Sequence, residues 1–378
     1  MKPFTLIHTA DLHLDLPVSG WKGSEEQLMV RRDEYRRTFS RILELAKRRE
    51  AAFLLIAGDF LEHDTVSRPT VEWVIEEFRR IPDTRVLIAP GNHDPYRSDS
   101  FYQSVPWPEH VHIFSGRWED HYFPDYNLRV YGKGFADFEE RESRLPGVDP
   151  ADERRVMVAH ATYGPRTEKS SYFPLSREEI HPLEMDYVAL GHIHQPSTDR
   201  LDNQRRTLVR YPGSPEALRW KETGERTVSL VTFDEKGVHL ETEAVQTRRY
   251  EVDFVDMTGC RTPEEAVRRI LNRFPEPSAR SVYRRLHLKG RCPRDLSLNG
   301  EWISLQLVKE GFLYVECLDE TVPDFDLDRL RAEDGLVGTF IRRMDERAAK
   351  ADGEEKKLLE RALYKGLDAL LLREVKGR

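Results

Sequence analysis

The chain has only three cysteines, Cys260, Cys292 and Cys317, far apart and forming no Cys-x-x-Cys pair. That excludes a disulfide framework and argues against a cysteine zinc site, so reduced structural thiols are the expectation. No apolar run approaches the length of a bilayer span. A basic excess is also lacking: 59 Lys and Arg stand against 67 Asp and Glu, for a net charge of −8. Bulk charge therefore does not argue for nucleic acid, although an acidic protein can still present a local basic surface. There is no internal repeat, no low-complexity segment and no signal-peptide layout: Met1-Lys2-Pro3 runs directly into a strand-like Phe4–Thr9. A cytoplasmic location is the expectation. Charged residues at 33% and hydrophobic ones at 39% suit a globular protein with a well-solvated surface. A length of 378 residues suits one catalytic domain with one or two smaller modules.

The first two-thirds alternate short β-branched runs with helical stretches. Strands are expected at Phe4–Thr9, Ala52–Ala57, Arg85–Ala89, Val156–Ala159 and Tyr187–Leu190. Helices are expected from Glu25 to Arg49, where Phe39, Ile42, Leu43 and Ala46 recur at helical spacing, and from Val71 to Phe78. Leu208–Tyr211, Thr227–Phe233 and Val238–Ala244 read as closing strands, the last two joined by a turn at Asp234-Glu235-Lys236-Gly237. A boundary falls near Arg248–Tyr250. Beyond it, strand Tyr250–Val255, helix Pro263–Phe274, strand Tyr283–Leu288 and strand Gly311–Leu318 suggest a small α/β module. From Asp328 onward the chain reads as helices, with one apolar stripe at Val337, Phe340, Ile341 and Met344. A second runs through Leu358, Leu359, Ala362, Leu363 and Leu367, and Asp352-Gly353 interrupts the two.

Short polar motifs follow the strands in a fixed order. They are Asp11-Leu12-His13, Gly58-Asp59, Gly91-Asn92-His93-Asp94, His160 and Gly191-His192-Ile193-His194. In an extended segment residues i and i+2 point to one side, so Asp11 with His13, and His192 with His194, can each serve one ion. A carboxylate such as Asp59 can sit between two cations and offset their repulsion. Asn92 offers a neutral oxygen, His93 stays free for proton chemistry, and Gly91 permits a tight turn. Each motif alone is weak; the conjunction, every member at the carboxyl end of a strand where open α/β sheets place their sites, carries the argument. Two divalent metals about 3.5–4 Å apart can generate a nucleophile from water and clamp a phosphoryl group for in-line attack.

This order of motifs resembles the calcineurin-like metallophosphoesterases. More narrowly, His8-Thr9-Ala10-Asp11-Leu12-His13-Leu14-Asp15, Ala189-Leu190-Gly191-His192-Ile193-His194 and Tyr211-Pro212-Gly213-Ser214-Pro215 are similar to segments of the SbcD-type DNA repair exonucleases. The likeness is nearest to their YhaO-like bacterial branch, relatives of the meiotic recombination eleven nucleases, and covers about residues 4–245. The resemblance implies an α/β fold: a four-layer metallophosphoesterase β-sandwich flanked by helices, with a small α/β capping module and a helical C-terminal tail. The corresponding spans are residues 1–248 for the nuclease domain, 249–330 for the capping and DNA-binding module, and 331–378 for the helical region.

It also implies one metal held by Asp11, His13, Asp59 and His194, and another by Asp59, Asn92, His160 and His192, with Asp59 bridging. An oxygen and imidazole set without thiolate suits Mn²⁺, the metal the resemblance implies, and equally Fe²⁺ or Zn²⁺. His93 is the implied catalytic residue, stabilising the transition state or protonating the leaving oxygen, and it needs an orienting partner. Here the chain departs from its relatives: three residues after Asp59, where they carry histidine or aspartate, it has Glu62, then His63. A Glu62–His93 pair is the expectation. His8, Asp15, His110, His112, His121 and His181 are read as ordinary surface or core residues.

The activity implied is cleavage of DNA phosphodiester bonds in DNA repair, as a 3′→5′ exonuclease with some endonuclease action. For DNA contact the sequence offers an arginine-rich stretch: Arg268, Arg269, Arg273, Arg280, Arg284, Arg285, Lys289, Arg291 and Arg294, with Tyr283 among them. Such a patch holds phosphates without reading bases. Arg31, Arg32, Arg36 and Arg37 form a second candidate, diluted by Asp33 and Glu34, and Trp21 and Lys22 stand close enough to the first motif to meet an entering strand. The resemblance further implies a partner SMC-like (SbcC-type) ATPase docked on the C-terminal helices, and a homodimer. The two apolar stripes serve equally well as helices packing on their own domain. Two other functions stay open: a small-molecule or nucleotide phosphodiesterase using the same metals, and a non-catalytic subunit of an ATPase complex.

Overall fold

Parallel strands covered on both faces read as unbroken apolar runs, and the strands at the heart of this protein do so: Phe53–Ile56 is buried at every position. The computed structural model describes residues 2–18, 25–141, 144–148, 152–165, 170–275, 282–293 and 295–371. Trp21, Lys22, Arg280 and Arg294 lie outside the described residues. One six-stranded sheet contains β1 (Phe4–Thr9), β2 (Phe53–Ile56), β3 (Arg85–Ile88) and β4 (Val111–Ile113), in parallel. The other contains β5 (Glu119–Phe123), β6 (Leu128–Lys133), β7 (Arg154–His160), β10 (Tyr187–Gly191), β11 (Ser197–Arg200) and β12 (Leu208–Tyr211); β8 (Thr162–Tyr163) and β9 (Pro174–Leu175) form a short pair apart. β13 (Thr227–Asp234) runs antiparallel to β1, and β14 (Gly237–Ala244) closes that edge as its hairpin partner. The spatial orders are β14-β13-β1-β2-β3-β4 and β11-β12-β10-β7-β6-β5.

Alternate residues of the two sheets meet in one core: Phe4, Leu6, Phe53, Leu55 and Leu87 against Leu128, Val130, Val156, Val158 and Tyr187. The opposite face of the first sheet is covered by α1 (Glu25–Arg48) and α2 (Arg68–Arg79), through Phe39, Ile42, Val71, Val74 and Phe78. Full burial of each such side chain stabilises by about 1.5–3 kcal/mol. The dipole of α1 is matched by Glu25 and Glu26 in its first turn and Lys47 and Arg48 in its last. The outer face of the second sheet packs on Phe173, Leu175, Ile180 and Met185. These come from the short strand β9, flanking irregular segments and a one-turn helix, Arg177–Ile180, in place of the long helices that cover the first sheet.

By internal contacts the chain divides into Met1–Val252 with Glu276–Arg285 and Gly311–Glu316, and Asp253–Pro275 with Leu286–Glu310 and Cys317–Arg378. The division falls within β15 (Arg249–Asp256), β16 (Val282–Lys289) and β18 (Tyr314–Asp319), which pair as a three-stranded sheet; β17 (Arg291–Cys292) pairs with β19 (Val322–Pro323). The second unit has a helix at Gly300–Lys309 that sequence periodicity does not reveal, capped by the Asn299 side chain accepting from Trp302 N–H. Its last helices, Leu336–Ala348 and Gly353–Leu371, turn their apolar stripes into one cluster of Leu330, Ile341, Leu363 and Leu367, with Val337, Phe340 and Met344 packed against it. Leu363 and Leu367 of the second stripe are thus used inside their own unit, while Leu358, at 58%, and Ala362 stay exposed. The three cysteines are buried, and none is in a disulfide. No helix among the described residues is long and apolar enough to cross a membrane.

Candidate metal centre

The five motifs meet at the carboxyl ends of the parallel strands. Past β1 and β2 the chain leaves regular structure but keeps its pairing: Asp11 N donates to Gly58 O at 3.0 Å and His13 N to Asp59 O at 2.9 Å. Asp11, His13 and Asp59 take positive φ of 55°, 48° and 49°, and His192 takes 98°. Such conformations cost roughly 1–3 kcal/mol each and persist where the surroundings over-determine them. Two glycines allow the close approach. A Cβ on Gly58, at φ +89°, would lie 2.3 Å from His160 Nδ1, and one on Gly91 would lie 2.3 Å from Asp59 Oδ1.

The histidines share one arrangement. His13 Nδ1 is 2.5 Å from Glu62 Oε1, His194 Nδ1 is 2.9 Å from Glu222 Oε1, and His160 Nδ1 is 2.9 Å from Ala57 O. Each outer partner is an acceptor, so each Nδ1 donates and leaves the Nε2 lone pair to the interior. His13 Nε2 is buried without a hydrogen-bond partner, 3.6 Å from Asp59 Oδ2. His160 Nε2 lies 3.3 Å from Asp59 Oδ2 and 3.1 Å from Asn92 Oδ1. His194 Nε2 lies 3.9 Å from Asp11 Oδ1. Buried acceptors facing one another need a cation or a proton between them. An outward acceptor that fixes the tautomer is the usual support of a metal-binding histidine. The residues therefore fit a pair of divalent cations.

Donor atoms converge in two groups, Asp11 with His13 and His194, and Asp11 with Asp59 and His160. Asp59 Oδ2 faces both His13 and His160, the place a bridging carboxylate takes. Asp11 belongs to both groups and also accepts His192 N–H, at 3.0 Å. The His192 ring adjoins His160, with centroids 5.2 Å apart. Burial and the neighbouring His160 hold His192 down to about 3, keeping it neutral as a ligand must be. Burial opposes the charge on Asp59, but His160 outweighs it and lowers the carboxyl below its usual range.

His93 stands at the rim with its side chain 42% exposed, Nδ1 3.1 Å from Glu62 Oε2. The structure thus brings Glu62 and His93 together, and adds that the same carboxylate holds His13 by its other oxygen. The bond from Glu62 pushes His93 up to about 9. Burial disfavours the Glu62 charge, yet the bonds from His13 and His93 prevail and lower its pKa.

Two supporting residues had no role in the sequence reading. Asp94 accepts from the backbone N–H of Asp59, Phe60, Leu61 and Gly91 and from Tyr102 OH, locking the Asp59 and Asn92 loops together. It lies inside a quoted motif, which was the available signal. Glu222, behind His194, also accepts from Ser214 Oγ and Leu218 N–H, and no local pattern marks it. Within Tyr211-Pro212-Gly213-Ser214-Pro215, Tyr211 OH donates to Ala161 O and Ser214 N to His194 O, so the segment braces both histidine loops.

The basic candidates come apart. Arg31 is fully buried and bonded to Glu34 and Glu216 beneath the rings of Tyr35, Tyr250 and Tyr283. Arg36 reaches Asp15 and Thr70, and Arg37 pairs with Asp33. Arg284 is buried and paired with Glu251, and Arg285 pairs with Glu316 over the Trp220 ring. Arg269 pairs with Glu265, Lys289 with Glu320, and Arg291 with Asp368 between Phe325 and Tyr364. Arg268 remains exposed. Arg31 and Arg284 are therefore corrections to the sequence reading: both are buried against carboxylates, Arg31 on Glu34 and the distant Glu216 and Arg284 on Glu251, and they serve the interior. Asp15 and His8 also have structural roles, Asp15 accepting from Ser67 and Thr70 at the start of α2 and His8 bonding Tyr187 OH inside the sandwich.

The family model for the calcineurin-like phosphoesterases matches residues 4–196. The chain is 28% identical to the uncharacterized metallophosphoesterase YhaO of Bacillus subtilis over 303 residues, covering 76% of this chain and 72% of that protein. It is 27% identical to the DNA double-strand break repair protein Mre11 of Methanopyrus kandleri over 297 residues, covering 70% of this chain and 62% of that one. Among solved structures, a dimetal phosphatase from Danio rerio superposes with a TM-score of 0.43 at 12% identity, over 64% of this chain and 96% of that chain. The chain belongs to the calcineurin-like phosphoesterase family, and its family makes it a metal-dependent phosphoester hydrolase.

Proposed function

We propose that the protein is a two-metal phosphodiesterase that cleaves DNA. The observation that carries the hydrolytic part is the set of three histidines tied outward at Nδ1 and turned inward at Nε2 around Asp11 and Asp59. Asp11, His13, Asp59 and His194 would hold one cation, and Asp59, Asn92, His160 and His192 the other, with Mn²⁺ the first choice and Fe²⁺ or Zn²⁺ suited to the same donors. When bound, such ions polarise the phosphoryl oxygens and supply an activated water for in-line displacement.

The protein residues do the rest. By accepting from His93 Nδ1, Glu62 favours the charged ring, whose far nitrogen then holds a proton for the leaving oxygen. Asp94 keeps the Asp59 and Asn92 loops in register, which preserves the geometry that attack requires. Support for DNA as substrate is the likeness to a protein named for double-strand break repair, and the rim position of His93, where a long polymer can reach it. On the same likeness we propose that residues 249–330 act as a capping module, that an SMC-like ATPase is a partner, and that polarity is 3′→5′. One observation favours a second reading, a small-molecule or nucleotide phosphodiesterase: among the described arginines of the expected stretch, Arg269, Arg284, Arg285 and Arg291 are already ion-paired.

The test is cleavage of end-labelled single- and double-stranded DNA with added Mn²⁺, wild type beside His93→Ala. The proposal expects cleavage by wild type and a loss of roughly 10²–10⁴-fold in the variant. Hydrolysis of a chromogenic phosphodiester without DNA cleavage would keep the centre and move the substrate to the second reading.

A further inference from the structure

A second convergence of metal-ligand side chains lies outside the strand-end centre, on residues the sequence reading left as ordinary. β4 and β5 are the outermost strands of the two different sheets. His112 projects from β4, while Glu119 and His121 occupy alternate positions of β5 and so share one face. His112 Nε2 is 3.0 Å from His121 Nε2 and 3.2 Å from Glu119 Oε2. One donor atom from each residue lies within 4.8 Å of the others.

Protons alone serve this cluster badly. One hydrogen between the two Nε2 atoms leaves the Glu119 oxygen facing a nitrogen already committed. If His112 gives its hydrogen to Glu119 instead, His121 Nε2 faces a donor already used. A single cation satisfies all three. Donors about 2.0–2.1 Å from one ion, at angles between octahedral and tetrahedral, stand about 2.9–3.4 Å apart. The observed 3.0 and 3.2 Å fall in that interval. Supporting contacts are also present. Ser115 N–H donates to Glu119 Oε1 at 2.8 Å, which leaves Oε2 for the cluster. The Phe114 ring packs edge-on against His112, with centroids 4.8 Å apart, and against His121 at 5.8 Å. About a third of the His112 and Glu119 side chains is exposed, which gives an entry path and room for water as further ligand.

We propose that His112, Glu119 and His121 bind one transition-metal dication of the Zn²⁺ class, which clasps the free edges of the two sheets. Two imidazoles and a carboxylate without thiolate suit Zn²⁺, Co²⁺ and Ni²⁺ better than Mg²⁺ or Ca²⁺. The inference does not rest on the proposed function, because none of the three residues belongs to that centre.

The test uses the full chain, stripped with chelator and dialysed against Zn²⁺, with zinc per chain counted by mass spectrometry. Wild type is compared with the double variant His112→Ala/His121→Ala and with Glu119→Gln. The double variant is expected to hold one zinc fewer per chain and to lose one step of Zn²⁺-induced rise in melting temperature, while its phosphodiester hydrolysis persists and reports an intact fold. Co²⁺ substitution gives a separate readout: the visible absorption of wild type should lose the component that the double variant lacks. If the double variant does not fold, Glu119→Gln decides, with weaker binding of that one equivalent expected. Equal zinc content and superimposable titrations in wild type and every folded variant would overturn the proposal.

Discussion

The strand-end centre and the arginine-rich stretch from Arg268 to Arg291 are both dense in chemistry-bearing side chains, yet the first could be read from the sequence and the second could not. In the centre, each motif is local: strand, tight turn, ligand. The backbone that presents Asp11 or His192 is encoded within a few neighbouring residues, so the order of motifs and the family resemblance it carries indicate which side chains converge. An arginine's role is decided by whichever carboxylate meets it; for Arg269 that is Glu265, one helical turn away, but for others the partner is remote. Arg31 is separated from Glu216 by 185 positions, and Arg285 from Glu316 by 31. A run of basic letters therefore looks like a phosphate-binding surface until the fold supplies the acids.

That contrast can be broken or sharpened. The largest effect is expected from Arg31→Met, which leaves Glu216 buried without its guanidinium and Glu34 with only Arg248 nearby. Loss of one partner of a buried pair costs roughly 3–5 kcal/mol, and urea unfolding should show it; an unchanged midpoint would mean that Arg31 is not the internal strut described here. Next is Gly58→Ala, which forces a Cβ against His160. Misplacing a reacting group by about 1 Å can cost roughly 10²-fold in turnover, and steady-state hydrolysis of a chromogenic phosphodiester measures it; turnover near wild type would show that the centre tolerates a wider spacing.

Glu222→Gln removes the charge behind His194 while keeping its shape. A fall of roughly 10–100-fold in metal affinity or activity is expected, readable by metal titration of the chelated protein, and an unaltered isotherm would demote Glu222 to simple packing. Smallest is Arg268→Ala, at an exposed position. Stability should stay within about 0.5 kcal/mol, and DNA affinity, measured against salt, should lose about 0.9 from its logarithmic slope if this residue contacts a phosphate. An unchanged slope would remove Arg268 from the set of phosphate contacts.

How far the sequence could be read follows the same logic. Strand positions, the α1 and α2 helices and the order of the ligands rest on short-range pattern. The pairing of Glu62 with His93, 31 positions apart, is instead an expectation from the family resemblance, and the structure brings those two side chains together. Glu222 was invisible because nothing in Trp220-Lys221-Glu222 distinguishes a carboxylate that will sit behind His194. The helix Gly300–Lys309 lacks a helical signature because its apolar residues, Trp302, Ile303, Leu305, Leu307 and Val308, fall on several faces rather than on one stripe, with Leu305 62% exposed. The C-terminal stripes were legible as stripes, but not as partners of each other. His112 and His121 looked ordinary because they lie on different sheets, and only the packing of two edge strands brings them to one point.

The central claim is that Asp59, set between His13 and His160, organises a hydrolytic two-metal centre. It is tested most directly by the initial rate of chromogenic phosphodiester hydrolysis as Mn²⁺ is restored to chelator-treated wild type and to Asp59→Asn. The account predicts that wild type recovers turnover with added metal, while the variant stays lower by roughly 10³-fold, the several kcal/mol that metal clamping supplies. Equal recovery in both proteins would contradict it.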